Sequence, residues 1–536
     1  MKALTAAEMR EVDRLTTERY GIPSLQLMEN AGTQFFDFLR SAYGEAVISR
    51  AAVFCGKGNN GGDGFVVARH FHEQGLKPSV YLFAEQAAVR GDAAENLARL
   101  KKSGAKVQEI TTGAQWEKAR GEIAKSRVIV DALLGTGLKG QAAGLLASVI
   151  EDINKISRNA TSLRPEAVVA VDTPSGLPSD GEPAEGPVIR AHATATFTAP
   201  KIGQLVSRDS ACCGKLRVRD IGSPPELIEE LGKSKVRWIE PREFLELPLV
   251  RPAASHKGKF GHVLIFAGSL GKSGAAILSG RGALRSGAGL VTIATPDAVL
   301  SIISEAQPEF MTEPLASTKQ GTIAAANGKA DRLRALMQGK TLLAIGPGIG
   351  THKETQRLVT SLVGQTGLPA ILDADGLNAF AGRARDLARR KTQHLALTPH
   401  PGEMARLLGV SNATVQADRF GIALKAAKTW NAHVILKGFH TILATPDGRA
   451  FMNTTGNPGM AKGGTGDVLT GILAGTVSQL GLEHWERGLA LGIYLHGRAG
   501  DESTAQSAEA GVLAGEIADT LPATYQRMLT EMRQLA

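Results

Sequence analysis

Two series of short β-rich apolar runs, each run followed by a small-residue loop and a helical pattern, restrict this chain to α/β architecture. The first series comprises Ala51 to Gly56, Ser79 to Ala84, Val128 to Leu134, Ala167 to Asp172, Ala193 to Thr198 and Leu216 to Ile221. Such alternation predicts βαβ units and a mainly parallel sheet. A second series follows: His262 to Ala267, Leu290 to Thr295, Thr341 to Ile345, Ala370 to Asp373, His394 to Leu397, His433 to Leu436 and Thr441 to Ala444. Its last two runs flank Lys437-Gly438 and are expected to be antiparallel. Between the series, Ile221-Gly-Ser-Pro-Pro-Glu and the charged segment through Arg251-Pro-Ala-Ala-Ser-His-Lys-Gly-Lys259 carry turn residues with little periodicity. A boundary near residue 228 is expected, giving domains 1–228 and 229–536, and 536 residues suit two large domains. No fixed-period repeat is present, so the halves read as two different layered folds.

Composition bears mainly on function. With 43% hydrophobic and 21% charged residues, the chain has the make-up of a soluble globular protein. The formal charge of +9 is modest for this length, and no Lys/Arg block interleaved with aromatics occurs. Nucleic acid is not an expected partner, whereas phosphate-bearing small molecules suit the surplus. Cys55, Cys212 and Cys213 are too few, and odd in number, for a disulfide framework. The cytoplasm is therefore the expected compartment. Charges scattered from Lys2 to Asp13 leave no apolar run for a signal peptide, and no stretch approaches a membrane span, so no membrane partner is expected.

The first candidate site follows the run at Ala51. Gly56-Lys-Gly-Asn-Asn-Gly-Gly-Asp-Gly64 is not the Gly-x-Gly-x-x-Gly dinucleotide fingerprint. Asn59, Asn60 and Asp63 offer side-chain groups that a simple pyrophosphate turn does not require, although a tight turn of small polar residues explains the loop equally well. Asp131 and Asp172 each close a strand at the same sheet edge, and converging carboxylates need a cation or a substrate. Asp131 leads into Gly135-Thr-Gly-Leu-Lys-Gly140-Gln141, a loop suited to phosphate or ribose; Asp172 leads into the stiff turn Thr173-Pro-Ser175-Gly176. Oxygen donors such as Asn60, Asp131 and Ser175 suit a hard cation. Capping of the following helices accounts for part of what either Asp does.

Together, Gly56 to Gly64, Asp131-Ala-Leu-Leu-Gly-Thr-Gly137 and Val171-Asp-Thr-Pro-Ser-Gly176 resemble the NAD(P)H-hydrate epimerase family over nearly all of residues 1–222. The resemblance implies a Rossmann-like three-layer α/β/α domain acting on a nicotinamide dinucleotide whose reduced ring has taken up water. It implies potassium at Asn60, Asp131 and Ser175. It also implies substrate contacts from Asn59, Asn60, Gly61, Gly62 and Asp63, from Gly135, Thr136, Gly137, Leu138, Lys139, Gly140 and Gln141, and at Asp172. Inverting a hydroxyl-bearing carbon requires proton transfer, which makes Asp172 the candidate general acid/base. Thr173 stands where that family is expected to carry a more apolar residue.

In the second half, Met460-Ala-Lys-Gly-Gly-Thr-Gly-Asp467 runs straight into an apolar helix. Glycines let backbone N–H groups turn toward an anion, and the helix adds its positive dipole end. A carboxylate beside bound phosphate is repelled unless it has a task, here taking a proton from an aligned hydroxyl; a simple helix cap is the competing reading. Phe266-Ala-Gly-Ser-Leu-Gly-Lys-Ser-Gly-Ala-Ala276 and Arg281 to Val291 are further small-residue stretches, explained by close approach to a ligand or by tight helix-sheet packing, and Ile345-Gly-Pro-Gly-Ile-Gly350 is another loop after a strand. Asp373 and Asp375 could orient magnesium through water, or Asp375 could cap a helix. His400 is braced between Pro399 and Pro401, and Lys437 ends an apolar strand where its charge could meet phosphate with Thr441 as donor.

Asn457 to Asp467, Thr398-Pro-His-Pro-Gly-Glu403 and Asp373-Ala-Asp-Gly-Leu-Asn378 jointly resemble the ADP-dependent NAD(P)H-hydrate dehydratase family, with a ribokinase-like α/β fold, over roughly residues 250–530. The resemblance implies that Ala275, Gly348, His400 and Asp467 contact the hydrated dinucleotide. It further implies that Lys437, Gly438, Phe439, His440, Thr441 and Gly466 hold ADP with Mg2+. The whole chain thus resembles a bifunctional nicotinamide-nucleotide repair enzyme. Expected substrates are the NADH and NADPH hydrates (NADHX and NADPHX), and a homo-oligomer is the expected assembly. By this reading Asp467 removes the hydroxyl proton as ADP phosphorylates the alcohol, and loss of phosphate restores the reduced ring. The competing reading is a ribokinase-like small-molecule kinase fused to a non-catalytic Rossmann-like binding module.

Overall fold

Alternate residues of the central strands belong to opposite apolar faces, which forces helices onto both sides of the sheets. The computed structural model describes residues 1–123, 125–138, 140–158, 165–505 and 508–535. Contacts divide the chain into Met1–Val236 and Arg237–Ala536.

The first unit contains β1 (Ala51–Cys55), β2 (Ser79–Leu82), β3 (Val107–Glu109), β4 (Val128–Ala132), β5 (Ala167–Val171), β6 (Ala193–Phe197) and β7 (Lys215–Arg219). They form one parallel sheet in the order β3-β2-β1-β4-β5-β6-β7. Val53, Val130 and Val169 join one apolar cluster with Phe35, Phe65 and Phe71 from covering helices. Phe54, Ile129 and Val168 join another with Trp116 and Ile150 on the opposite face. This is the expected three-layer Rossmann-like arrangement. Strand order reverses between β1 and β4, the switch point where open α/β sheets leave a crevice at their carboxyl edge.

The second unit has β9 (His262–Phe266), β10 (Leu290–Pro296), β11 (Met311–Leu315), β12 (Leu342–Ile345), β13 (Ala370–Leu372), β14 (Leu395–Leu397), β15 (His433–Leu436), β16 (Thr441–Ala444) and β17 (Ala450–Asn453); β8 (Val236–Trp238) completes its sheet. The order is β11-β10-β9-β12-β13-β14-β15-β16-β17-β8, with a switch point between β9 and β12. β15 and β16 pair antiparallel, as expected for runs joined by a tight turn. The fold is ribokinase-like α/β, its main core formed by strand residues such as Val263, Ile293 and Ile435 against the helices Ser273–Arg285, Thr465–Leu480, Trp485–Thr504 and Ala514–Leu535.

Glycines explain the small-residue stretches around Ser279 and Gly471. A Cβ on Gly471 would lie 1.9 Å from the Ser279 carbonyl, and one on Gly282 would lie 2.5 Å from that of Val468. These two helices therefore meet nearly backbone to backbone, so the small residues there serve helix-helix packing rather than the expected helix-sheet packing. Among the described residues, no helix is long and apolar enough to cross a membrane.

Candidate active sites

The carboxyl ends of β1, β4, β5 and β6 open onto a cleft of about 1060 Å³ in the first unit. Asn60, Asp131 and Ser175 meet at its floor around the Leu134 peptide. The Asn60 amide donates to Leu134 O at 3.0 Å, and Leu134 N–H donates to Ser175 Oγ at 2.9 Å. Asp131, fully buried, accepts from Ser175 N–H at 2.8 Å and from the Ser175 hydroxyl at 2.5 Å. Burial pushes Asp131 up to about 6 despite those hydrogen bonds. Asn60 Oδ1 is sealed from solvent and has no hydrogen-bond partner. A buried amide oxygen left open beside an acid is an observation a cation would account for.

Asn59, Asp63, Gly135, Thr136, Gly137 and Leu138 also line the cleft. Gly61 and Gly62 are set by packing instead: a Cβ on the first would strike Gly56 O at 1.9 Å and one on the second Met28 Sδ at 2.6 Å. Gly140 and Gln141 are exposed, and Lys139 lies outside the described residues.

Asp172 follows β5 in a left-handed backbone conformation, φ 60°, which an aspartate adopts at some cost. Three elements hold it there. The Thr196 hydroxyl donates to Asp172 Oδ1 at 2.9 Å, Gln204 Nε2 donates to Asp172 O at 2.7 Å, and the buried Lys201 ammonium pairs with the carboxylate. Lys201 also donates to Thr196 Oγ1 at 2.8 Å. Sequence reasoning missed Lys201, although a lysine four residues past an apolar strand end, after Ala199-Pro200, was a readable signal. It missed Asp13 too, whose helix lies far along the chain from every glycine loop.

In the second unit, the ends of β13, β14 and β15 and the N-terminus of the Thr465–Leu480 helix converge on one buried ion pair. Lys437 Nζ donates to Asp373 Oδ1 at 2.7 Å. Thr398 donates to the same oxygen at 2.6 Å and Thr470 to the other at 2.7 Å. Burial alone would raise the Asp373 carboxyl, but Lys437 and the two hydroxyls hold it below its usual value. Burial likewise opposes the Lys437 charge, while Asp373 and Glu403 more than offset it. A Cβ on Gly466 would sit 3.4 Å from Lys437 Nζ, so the glycine loop lies directly over the pair.

Asp467 occupies the first turn of its helix, as expected, beyond Gly464 in left-handed conformation at φ 91°. Burial, reinforced by Asp373, pushes it up to about 6 against the pull of Lys437. Neighbouring His496 donates from Nε2–H to Thr465 O at 3.1 Å, and burial lowers it to about 4, leaving it neutral.

His400 is fixed otherwise than the flanking prolines suggest. Its Nδ1 caps the Pro401–Leu408 helix, accepting from Gly402 N–H at 3.0 Å and Glu403 N–H at 3.4 Å, while Glu403 returns the bond to His400 N–H at 2.8 Å. Asp373, not Asp375, takes the N-cap position of the Ala374–Asn378 helix. Asp375 accepts from Gly350 N–H at 3.0 Å and lies 3.3 Å from Lys272 Nζ, which ties the Leu270–Ser273 loop to this edge. Ala275 and Gly348 are neighbours, since a Cβ on Gly348 would lie 2.8 Å from that of Ala275.

Arg419, another residue without sequence signal, braces the Lys437–Thr441 turn by donating to the carbonyls of Leu436, Lys437 and His440 at 3.3–3.4 Å and to Phe439 O. Its Nη2 would be 2.9 Å from a Cβ on Gly438, φ 137°, so only glycine fits. Phe439 is 52% exposed and stacks on the buried His440 with ring centroids 4.0 Å apart.

Comparisons with known proteins agree with this division. Residues 263–523 match the family model described as NAD(P)H-hydrate dehydratase, and residues 24–203 match that of the YjeF-related protein N-terminus. The chain is 42% identical to the bifunctional NAD(P)H-hydrate repair enzyme Nnr of Moorella thermoacetica, covering 100% of this chain and 98% of that one. It is 38% identical to the Thermofilum pendens protein of the same name, covering 97% and 96%. Among solved structures, it is similar to the ADP/ATP-dependent NAD(P)H-hydrate dehydratase of Bacillus subtilis co-crystallised with ATP/Mg2+, at 33% identity and a TM-score of 0.48, covering 55% of this chain and 99% of that one.

Proposed function

Because the chain belongs to the bifunctional NAD(P)H-hydrate repair enzymes, an epimerase joined to an ADP/ATP-dependent dehydratase, we propose that the Met1–Val236 cleft epimerises the hydrate and the Asp467 site dehydrates it. The relatives matched along nearly their full length are named as bifunctional NAD(P)H-hydrate repair enzymes, so a kinase fused to a non-catalytic module is not favoured.

One observation carries the dehydratase assignment: an acid without a hydrogen-bond partner among the described residues, poised near neutral pH, stands at a helix N-terminus above a buried ammonium. Hydroxide leaves poorly. Asp467 takes the proton of the hydrate's hydroxyl as its oxygen attacks the terminal phosphorus of ADP, breaking the bond to the AMP oxygen. Backbone N–H groups of Gly463 to Gly466 and the Lys437 ammonium face the charge that develops. The ring nitrogen lone pair then expels phosphate and a neighbouring carbon gives up its proton, which leaves NAD(P)H, AMP and phosphate.

Ala275, Gly348 and His400 are assigned to the hydrate, and Lys437 to Thr441 with Gly466 to the nucleotide. Mg2+ would accompany the ADP or ATP phosphates and neutralise part of their charge. Asp373 already accepts from Lys437, Thr398 and Thr470, so it and Asp375 would reach the ion through water.

In the first unit, Asn60, Asp131 and Ser175 would hold K+, which fits the unpartnered Asn60 oxygen and would anchor the substrate's pyrophosphate and the two loops. Asn59, Asp63 and Gly135 to Leu138 are assigned to the hydrate, and Asp172 to proton transfer. Buried thiols at Cys55 and Cys213 suit a reducing cytoplasm.

The test is to incubate separated epimers of hydrated NADH with the protein, with and without ADP, and follow each by chromatography. Both epimers should convert to NADH with ADP present, and should only interchange without it. Accumulation of a stable phosphorylated hydrate, or recovery of one epimer alone at the rate of spontaneous exchange, would overturn the assignment.

A further inference from the structure

The first cleft holds more acid than one proton transfer needs. Asp13, Asp63 and Asp172 all line it, with Lys201 as the buried ammonium among them. Lys201 is committed to Asp172, to Thr196 Oγ1 at 2.8 Å and to Phe197 O at 3.3 Å. Asp13 Oδ1, by contrast, is sealed from solvent without a hydrogen bond among the described residues. Leaving a buried acceptor unmet costs on the order of 1–3 kcal/mol, and a native site that bears this usually has a use for the group.

The fold fixes Asp13 relative to Lys201. Helix Ala6–Tyr20 starts with a capping box in which Thr5 and Glu8 exchange hydrogen bonds. The preceding residue, Leu4, pairs with Lys201 as a parallel bridge: Leu4 N–H donates to Pro200 O and Ile202 N–H donates to Leu4 O, both at 3.0 Å. The first helical amide, Ala6 N–H, is tied to Asp180 Oδ1 at 2.6 Å. Met9, one turn before Asp13, lines the same cleft, while Val12 is fully buried behind it. The segment bearing the ammonium and the helix bearing Asp13 are thus one bonded frame, and Asp13 faces the cavity from the wall opposite in sequence to every glycine loop.

Epimerisation at a carbon bearing both a hydroxyl and the ring nitrogen needs two groups that exchange protons, because one bond to that carbon must open and close again. Resting on the assignment of this cleft as the epimerase site, we propose that Asp13 is a catalytic residue, the proton donor that complements Asp172. The hydroxyl proton passes to Asp172, the C–N bond breaks, and its electron pair goes to the ring nitrogen as that atom takes the proton of Asp13. The carbon is then an aldehyde. Rotation about the adjacent C–C bond presents its other face, and return of the nitrogen with both proton transfers reversed gives the other epimer with nothing consumed. Burial and the charge of Asp172 bring Asp13 to about 6, with Lys201 pulling the other way, so it can give and regain a proton near neutrality. Asp63 is raised well above its ordinary value by burial, Asp172 and Asp13, against the pull of Lys201. Arg10, at the rim, is the remaining charged group on the same helix that lines the cleft.

The experiment measures epimer exchange without ADP by proton NMR, after subtracting the spontaneous rate, for the full chain and for Asp13→Asn, Asp13→Glu and Asp172→Asn. Asp13→Asn should lower kcat by about 10²- to 10⁴-fold with KM within a few-fold, and should remove one limb of a two-limbed pH profile. Asp13→Glu should restore, at reduced rate, the limb that Asp13→Asn loses, whereas a purely structural role would leave both limbs in both variants. Exchange within about twofold of the parent in folded Asp13→Asn, or persistence of both limbs, overturns the proposal. If Asp13→Asn fails to fold by circular dichroism, loss of a limb in Asp13→Glu overturns it. Wild-type exchange in both Asp13→Asn and Asp172→Asn sinks the epimerase reading itself, whereas wild-type exchange in Asp13→Asn alone sinks only this inference.

Discussion

An ordinary aspartate and the Asp467 described above make opposite forecasts for the acid limb of dehydration. Burial and the Asp373 carboxylate put Asp467 near 6. If its ionised form is the base, only about one molecule in eleven is competent at pH 5, against about nine in ten for an aspartate at its usual value. The rate kcat/KM for the reactive epimer, read from the returning absorbance of the reduced ring at saturating ADP, should fall about tenfold between pH 7 and pH 5. Neighbouring charges set the position of the limb. Asp373→Asn removes the main charge that raises Asp467 and frees Lys437 to lower it further, so the limb should move to lower pH by about one unit, or about 1.4 kcal/mol. Lys437→Met removes the ammonium that holds Asp467 down, and the limb should move the other way. Asp467→Asn should lose about 10²- to 10⁴-fold at every pH while retaining its fold. A rate flat to pH 5 in the parent, or the same direction of shift in Asp373→Asn and Lys437→Met, would refute the reasoning.

Three further outcomes are expected. Lys437→Met strands the buried Asp373 carboxylate on two hydroxyls and should cost about 3–5 kcal/mol, read by denaturant unfolding of the second unit; a loss below about 1 kcal/mol would show that the pair is not structural. Asn60→Ala removes one oxygen from the candidate K+ site and should raise the half-saturating K+ for epimer exchange by about tenfold or more, with unchanged K+ response counting against the site. Gly471→Ala puts a methyl 1.9 Å from the Ser279 carbonyl and should destabilise by about 1–3 kcal/mol or more, while wild-type unfolding would mean that the two helices are free to part.

Both sheets were legible because buried parallel strands read as continuous apolar runs, and the turn at Lys437-Gly438 marked the antiparallel reversal. Many strands end a residue or two inside the expected runs, where loop residues such as Asp172 and Asp373 leave the sheet, whereas β10 continues one residue past its run. β3, β8, β11 and β17 had no expected run; the first three are sheet edges and only partly buried, and β17 is a short buried strand beside one of them. The glycine loops and their acids were legible because backbone approach to an anion demands small residues in a row. The roles of Thr398, Thr470 and Arg419 were not, since each bonds a group tens of residues away and only the fold supplies that proximity. His400 was singled out for the wrong local reason: the cap it makes, rather than its prolines, orients the ring.

The seam between Ser273–Arg285 and Thr465–Leu480 sets how the second site can move. With carbonyls of one helix seated against the α-carbons of the other, neither can slide by even a methyl's width, so Ala275 at the head of one and Asp467 at the head of the other share a single datum. The distance from the proposed hydrate pocket to the proposed base is thereby machined into the scaffold before any ligand arrives, and substitutions that loosen the seam should blur catalysis before they unfold the protein.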